Sequence, residues 1–288
     1  MAPPPNQLEP LLPVLAPLVA IIGACIGSFA NVVAWRLPRQ ESLVHPPSHC
    51  PRCGTRLAWH ENVPVFGWLR LGGRCGHCHQ PIAIRYPLVE VLAAGLWVAV
   101  LLGAPLAMGP HPHPSLLLIA GWLLASWLLP MALIDLDRLW LPEPMLRWGV
   151  LLGLVVTGVL GFQQDPGTGR RLLLDHLMAT AMGLLGFELV SALAQRAFGR
   201  PALGLGDAKL AALMGAWLGS AGLGVAVILS VFLGAAFGVA GRISGRLARH
   251  QAFPFGPFLA LGTIAVWCTG PGIWLRWLLG ASFPFPAA

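Results

Sequence analysis

The sequence predicts an all-α polytopic membrane protein of about eight transmembrane helices, with a small cytoplasmic loop domain between the first and the second. Three observations predict it. Hydrophobic residues make up 56% of the 288 and charged residues only 10%, against about 25% charged in ordinary soluble domains. Apolar runs recur along the chain at close to the ~20 residues that an α-helix needs to cross a bilayer. One hydrophilic stretch of about 50 residues interrupts them, and it holds four of the six cysteines. A soluble domain of this length cannot hide so much apolar surface with so few charges on its exterior. A disordered chain would need low hydrophobicity, so that class is excluded too.

In chain order the apolar runs are 13–35, 86–107, 115–134, 146–162, 173–194, 208–220, 222–241 and 256–275. The sixth is short, and the 208–241 stretch admits other divisions. The N-terminus reads as a retained first helix and not as a cleaved signal. Met1 to Pro10 carries no Lys or Arg, and the first run ends in Trp35-Arg36-Leu37-Pro38-Arg39 instead of a small-residue cleavage site. The stretch Gly109-Pro110-His111-Pro112-His113-Pro114 reads as a turn between helices, its histidines solvated. The organisation is then 1–35, N-terminal segment and first helix; 36–85, cytoplasmic loop; 86–288, transmembrane bundle.

Orientation follows from the cations. The formal net charge is +7, from 17 Arg and the single Lys209 against 11 acids. With the N-terminus outside, 15 of the 18 basic residues face inward, leaving only Arg170, Arg171 and Arg276 outside. The positive-inside rule therefore puts the 36–85 loop in the cytoplasm. The arginines are scattered between apolar runs, which argues against a nucleic-acid partner and for charged loops beside a lipid bilayer.

A loop of this size is too small for a hydrophobic core of its own. Cys50-Pro51-Arg52-Cys53 and Cys75-Gly76-His77-Cys78, 21 residues apart, supply a staple. Two CxxC knuckles can close a tetrahedral four-thiolate site on structural zinc. Two disulfides are disfavoured on the reducing side of the membrane, and a redox CxxC would not explain two pairs. Gly54 and Gly76 fall where knuckle turns ask for a permissive backbone. His49, His60, His77 and His79 are bystanders with four sulfurs available. Cys25 and Cys268 read as small core residues.

Carboxylates are scarce, so their placement is informative. Asp135 and Asp137 close the third run, ahead of Leu141-Pro142, and Asp207 opens the sixth in Gly204-Leu205-Gly206-Asp207-Ala208-Lys209. Both ends fall at the cytoplasmic boundary. Two carboxylates in one poorly hydrated site cannot both ionise easily, so one takes a proton from water while the protonated one polarises a peptide carbonyl. Read singly, Asp207 is a helix cap and Asp135 and Asp137 a solvated helix end; read together, they are an aspartyl protease pair. Glu90 and Glu188 lie deeper in spans and carry no assigned chemistry. Lys209 either damps repulsion between the acids or anchors the inside face.

Six landmarks in order resemble the bifunctional type IV prepilin peptidases, the leader peptidase/N-methyltransferases. They are Gly27-Ser28-Phe29-Ala30-Asn31 with Arg36-Leu37-Pro38, the paired CxxC loop, Arg85-Tyr86-Pro87-Leu88-Val89-Glu90, Ile134-Asp135-Leu136-Asp137 with Leu141-Pro142, Gly204 to Lys209, and Phe255-Gly256-Pro257-Phe258-Leu259. The resemblance implies a multi-pass bacterial inner-membrane aspartyl endopeptidase with its active site facing the cytoplasm. It would cut the basic leader of type IV prepilins or type II secretion pseudopilins after a glycine, then methylate the new N-terminus with S-adenosylmethionine. It implies Asp135, seven residues before Pro142, and Asp207 as catalytic, with Asp137 the competitor for the first role. Glu143-Pro144 departs from the Asp or Asn of many relatives. The resemblance assigns the methyl donor to the first helices and the cysteine loop, without naming residues. A presenilin-like protease cutting within helices, or a transporter or scaffold with a zinc-stabilised loop, fits parts of the same pattern.

Overall fold

The computed structural model describes residues 9–108, 114–199, 203–248, 251 and 253–279. The expected turn at 109–113 with His111 and His113, the cations Arg200 and Arg249, and most of the Met1 to Pro10 segment lie outside the described residues. Among the described residues there is no strand, only the isolated bridges His49–Arg56 and Arg74–Pro81. The helices are α1 (Leu12–Arg36), α2 (Phe66–Arg70), α3 (Arg85–Met108), α4 (Pro114–Arg138), α5 (Glu143–Phe162), α6 (Pro166–Phe198), α7 (Leu205–Ile243), α8 (Gly256–Thr269) and α9 (Pro271–Leu279).

Six of them are long and apolar enough to cross a membrane, or seven if the pair α8 and α9, bent by 101°, forms one span. The expected count of eight is not matched helix for helix. The runs 208–220 and 222–241 fall within α7, which is interrupted only at Gly219 (φ 68°, ψ −177°). The outward faces are apolar, as in Leu174, Met178, Met182, Leu185 and Leu189 along α6, all exposed. Water would not tolerate such a face, and lipid requires it.

The chain divides into two compact units, 1–101 and 102–288. In the first, α1 lies against α3 through a pair of glycines one turn apart. A side-chain carbon at Gly23 would sit 2.9 Å from the Ala93 carbonyl, and one at Gly27 would sit 2.7 Å from the Ala93 side chain. With little hydrophobic drive between helices in lipid, such small residues let backbones approach until dispersion holds them. The close approach brings Asn31 to Tyr86, whose carbonyl accepts from Asn31 Nδ2 at 3.3 Å. At the end of α1, buried Arg36 ties down the chain leading to the loop, donating to the carbonyls of Ser42 at 2.9 Å and Pro46 at 2.7 Å.

In the second unit the same device recurs. A side chain at Gly183 would collide with the main chain of Ala211, and one at Gly215 with that of Ala179. This registers α6 antiparallel to the first arm of α7. On the other side, the Gly149 and Gly153 surfaces of α5 receive Leu213 and Trp217, and the Trp217 indole donates to the Gly149 carbonyl at 2.9 Å.

The break at Gly219 frees two main-chain groups that would be partners in an unbroken helix, the Ser220 N–H and the Ala216 carbonyl. Both are satisfied by side chains. Asp175 accepts from the Ser220 N–H at 3.0 Å and from its hydroxyl at 2.5 Å. The Ala216 carbonyl is met by His176 Nδ1 at 3.0 Å and by the Thr157 hydroxyl at 3.3 Å. An orphaned peptide group away from water costs several kcal/mol, on the order given for a lipid environment. These polar side chains in apolar helices are accounted for by that need.

Candidate active site and metal centre

Asp135 lies in the last turn of α4 and is buried, 5% exposed. Its Oδ2 accepts the main-chain N–H of Gly256, the first residue of α8, at 2.8 Å. Gly256 is required by closeness: a side-chain carbon there would lie 2.7 Å from the same carboxylate oxygen. Asp137, two residues on, is exposed. A helix turns about 200° in two residues, so only one of the two acids faces the bundle, and it is Asp135.

Asp207 is in the first turn of α7 and is partly buried. Its Oδ2 accepts the Gly204 N–H at 3.1 Å, and the Gly204 carbonyl in turn accepts the Asp207 N–H at 3.1 Å. The segment between α4 and α5 meets this turn directly. Buried Leu141 packs on Gly206, where an added side-chain carbon would lie 3.3 Å from the leucine. Gly206 thus admits Leu141, and Asp207 comes within electrostatic reach of Asp135. Both carboxylates are held at helix N-termini by main-chain N–H groups, the geometry such ends offer to an anion. Lys209 turns to an ion pair with Glu143, the first residue of α5. Glu143-Pro144 therefore supplies the lysine's partner. Glu188 is exposed on α6.

The four loop cysteines converge: their sulfurs all lie within 4.8 Å of one another. Cys50 Sγ and Cys78 Sγ are 3.8 Å apart, the edge of a tetrahedron with Zn–S bonds of about 2.3 Å. None of the six cysteines is in a disulfide. The knuckles repeat one geometry, with Cys50 N–H to Thr55 and Gly54 N–H to Cys50 in the first, Cys75 N–H to Gln80 and His79 N–H to Cys75 in the second, all at 2.9 to 3.0 Å. The left-handed position of the first is Gly54 at φ 70°, as expected, but that of the second is His79 at φ 57° and not Gly76. Gly76 is small for another reason, since a side-chain carbon there would lie 2.6 Å from Glu61 Oε1. The Thr55 hydroxyl beside Cys53 pulls that thiol down to about 6, towards the thiolate a metal takes. Cys268 is buried as expected, whereas Cys25 is exposed on α1; the apolar surroundings there are outside the bundle.

The match to known proteins covers both units. A model of the bacterial peptidase A24 N-terminal domain matches residues 21–103, and one of the type IV leader peptidase family matches 122–239. A prepilin leader peptidase/N-methyltransferase of Myxococcus xanthus (strain DK1622) is 37% identical over 274 residues, 93% of this chain and 77% of the relative. The chain belongs to the type IV leader peptidase family. This leader peptidase, an enzyme with methyltransferase activity besides, is also 34% identical to a type 4 prepilin-like proteins leader peptide-processing enzyme of Escherichia coli O78:H11, covering 90% of the chain and 95% of the relative. It is 29% identical to a prepilin leader peptidase/N-methyltransferase of Neisseria gonorrhoeae, covering 95% and 98%. No solved structure matches it.

Sequence reasoning missed two parts of the candidate site and one of the bundle that carries it. The Gly256 N–H and the Leu141 contact are main-chain and packing relations across more than 60 residues, for which spacing gives no sign. The signal that existed was the Phe255-Gly256-Pro257 start of α8, quoted only as a landmark. The Asp175, His176 and Thr157 set was also missed, because the break it serves depends on the backbone of one glycine.

Proposed function

We propose that the peptidase cuts the basic leader of type IV prepilins or type II secretion pseudopilins after a glycine, at the cytoplasmic face of a bacterial inner membrane. Asp135 and Asp207 act as the pair, and the new N-terminus is then methylated with S-adenosylmethionine. The observation that carries this is the meeting of α4, α7 and α8 ends around two carboxylates, each with one oxygen engaged by a main-chain N–H. The other oxygens are left for water and substrate. The ionised carboxylate takes a proton from water as its oxygen attacks the scissile carbonyl, while the protonated one donates to the carbonyl oxygen. The tetrahedral diol then collapses, its C–N bond breaks, and the proton passes to the departing amine. Names borne by the relatives support the substrate class.

Zinc would be held by Cys50, Cys53, Cys75 and Cys78, where it folds the loop and leaves no open coordination position. The cationic asymmetry supports an outside N-terminus and an inward-facing site. Contacts of α7 support eight crossings. Its first arm leaves the end of the bundle where Gly206 meets Leu141, antiparallel to α6. Its second arm pairs Gly222 with Val266, Ala226 with Gly262 and Ser230 with Phe258, then reaches Phe255 from Gly234. Phe255 adjoins Gly256 at Asp135, so the arm returns to the end from which the first set out.

Membranes carrying the peptidase, incubated with a prepilin with and without S-adenosylmethionine, test the reading by mass spectrometry of the product. Leader loss in both samples and one added methyl group only with the donor are expected. Full cleavage by the Asp207→Asn variant would overturn the assignment of the pair.

A further inference from the structure

The first unit carries a half-open cavity of about 530 Å³ between the α1 end, the cysteine loop and the start of α3, within the ~300–1,000 Å³ of small-molecule sites. Its floor is Glu90, only 7% exposed, whose Oε2 accepts the Val65 N–H at 2.6 Å, with Ser28 also in hydrogen-bond contact. Val65 has φ 63°, and its neighbours close a γ-turn, Phe66 N–H to the Pro64 carbonyl at 2.6 Å. A β-branched residue in that conformation is strained, and such strain persists where surroundings hold it, typically at binding sites. Here a buried carboxylate holds it.

The rest of the wall is mixed, with apolar side chains such as Val32, Leu57 and Leu71 among polar groups that are held in place. Glu61 is fixed by the Ala58 N–H at 2.8 Å, and the Trp68 indole donates to the Ile82 carbonyl at 3.1 Å while its ring lies on Gly73. Three acids (Glu41, Glu61 and Glu90) and two arginines (Arg36 and Arg52) line the cavity. Arg36 is turned away to main-chain carbonyls. The cavity therefore favours a net cation with an aromatic ring and several hydrogen-bond donors.

We infer that this cavity is the site of the methyl donor, with Glu90 and Glu61 facing its cationic sulfonium and amino-acid end and Trp68 its nucleobase. S-adenosylmethionine carries two positive charges and one negative, an adenine that stacks, and ribose hydroxyls that donate to carboxylates. The inference rests on the methyltransferase activity above and assigns it to residues of the first unit.

The test uses the full-length, zinc-loaded peptidase in lipid nanodiscs. Binding of radiolabelled S-adenosylmethionine is measured by equilibrium dialysis, and ultraviolet cross-linking of the same ligand is mapped by mass spectrometry. Glu90→Gln removes the buried charge. Ala83→Trp narrows the cavity from an exposed position, where folding is not at stake. Zinc content and monodispersity report on folding of each. Cross-links within residues 28–90 and at least tenfold weaker binding by both variants are expected. If the parent binds and methylates but both variants bind within twofold of it, or the cross-links map elsewhere, the site is wrong and the activity stands. If the parent neither binds the donor nor methylates a cleaved prepilin, both fall.

Discussion

Asp135 accepts a hydrogen bond from the Gly256 main chain at 2.8 Å, across 121 residues of sequence. One acid at the end of α4 is thereby fastened to the first turn of α8. The closeness leaves no room for a side chain at residue 256.

Gly256→Ala should therefore damage cleavage without touching a carboxylate. The added methyl would lie 2.7 Å from Asp135 Oδ2, forcing the acid off its N–H. A hydrogen bond to a charged group is worth about 1.5–3 kcal/mol, so a loss of roughly 10- to 150-fold in kcat/KM is expected, against abolition in Asp135→Asn. Prepilin cleavage in membranes with matched protein levels checks it; Asp137→Asn should stay near the parent.

The converging sulfurs predict one zinc per chain by elemental analysis. Cys50→Ser or Cys75→Ser should lose the metal and fail to accumulate, because a loop this small folds on its ion. Active, purified peptidase without metal would contradict this.

Lys209 and Glu143 form an ion pair with both side chains substantially exposed, 41% and 48%. Pairs of that kind contribute about 0–1 kcal/mol. Lys209→Gln should change cleavage by less than about fivefold, and the charge-swapped double variant should behave like the parent. A hundredfold loss in the single variant that the swap fails to restore would instead give the lysine a direct part in the chemistry.

Asp175 satisfies the amide freed at Gly219. Asp175→Ala should leave the Ser220 N–H unpaired and destabilise by about 1–3 kcal/mol, read as a lower midpoint for thermal inactivation in detergent. Asp175→Asn keeps an acceptor and should fall between the two.

Much of this was legible in residues. The paired CxxC spacing reported a site whose sulfurs do converge, because four ligands of one element leave few alternatives. Asp135 and Asp207 stood out since acids are rare in apolar runs. What distinguishes Asp135 from Asp137 is a rotation about the α4 axis, set by packing against α8 and invisible to spacing. The backbone at Gly219 is likewise a matter of one dihedral pair: the apolar run on either side reads continuously, so composition alone could place the division only to within a few residues. The second knuckle shows the same limit, its left-handed turn falling on His79 while the expected Gly76 makes room for Glu61.

The first arm of α7 has about 14 residues before Gly219, roughly 21 Å of helix, while the hydrocarbon layer is about 30 Å thick. Such mismatch is relieved by thinning the bilayer or by drawing the helix ends inward. Asp207 sits at one of those ends. On the proposed reading, in which the arm crosses by itself and Asp207 acts on the substrate, the length of the arm is what sets the depth at which a peptide bond would meet the acid.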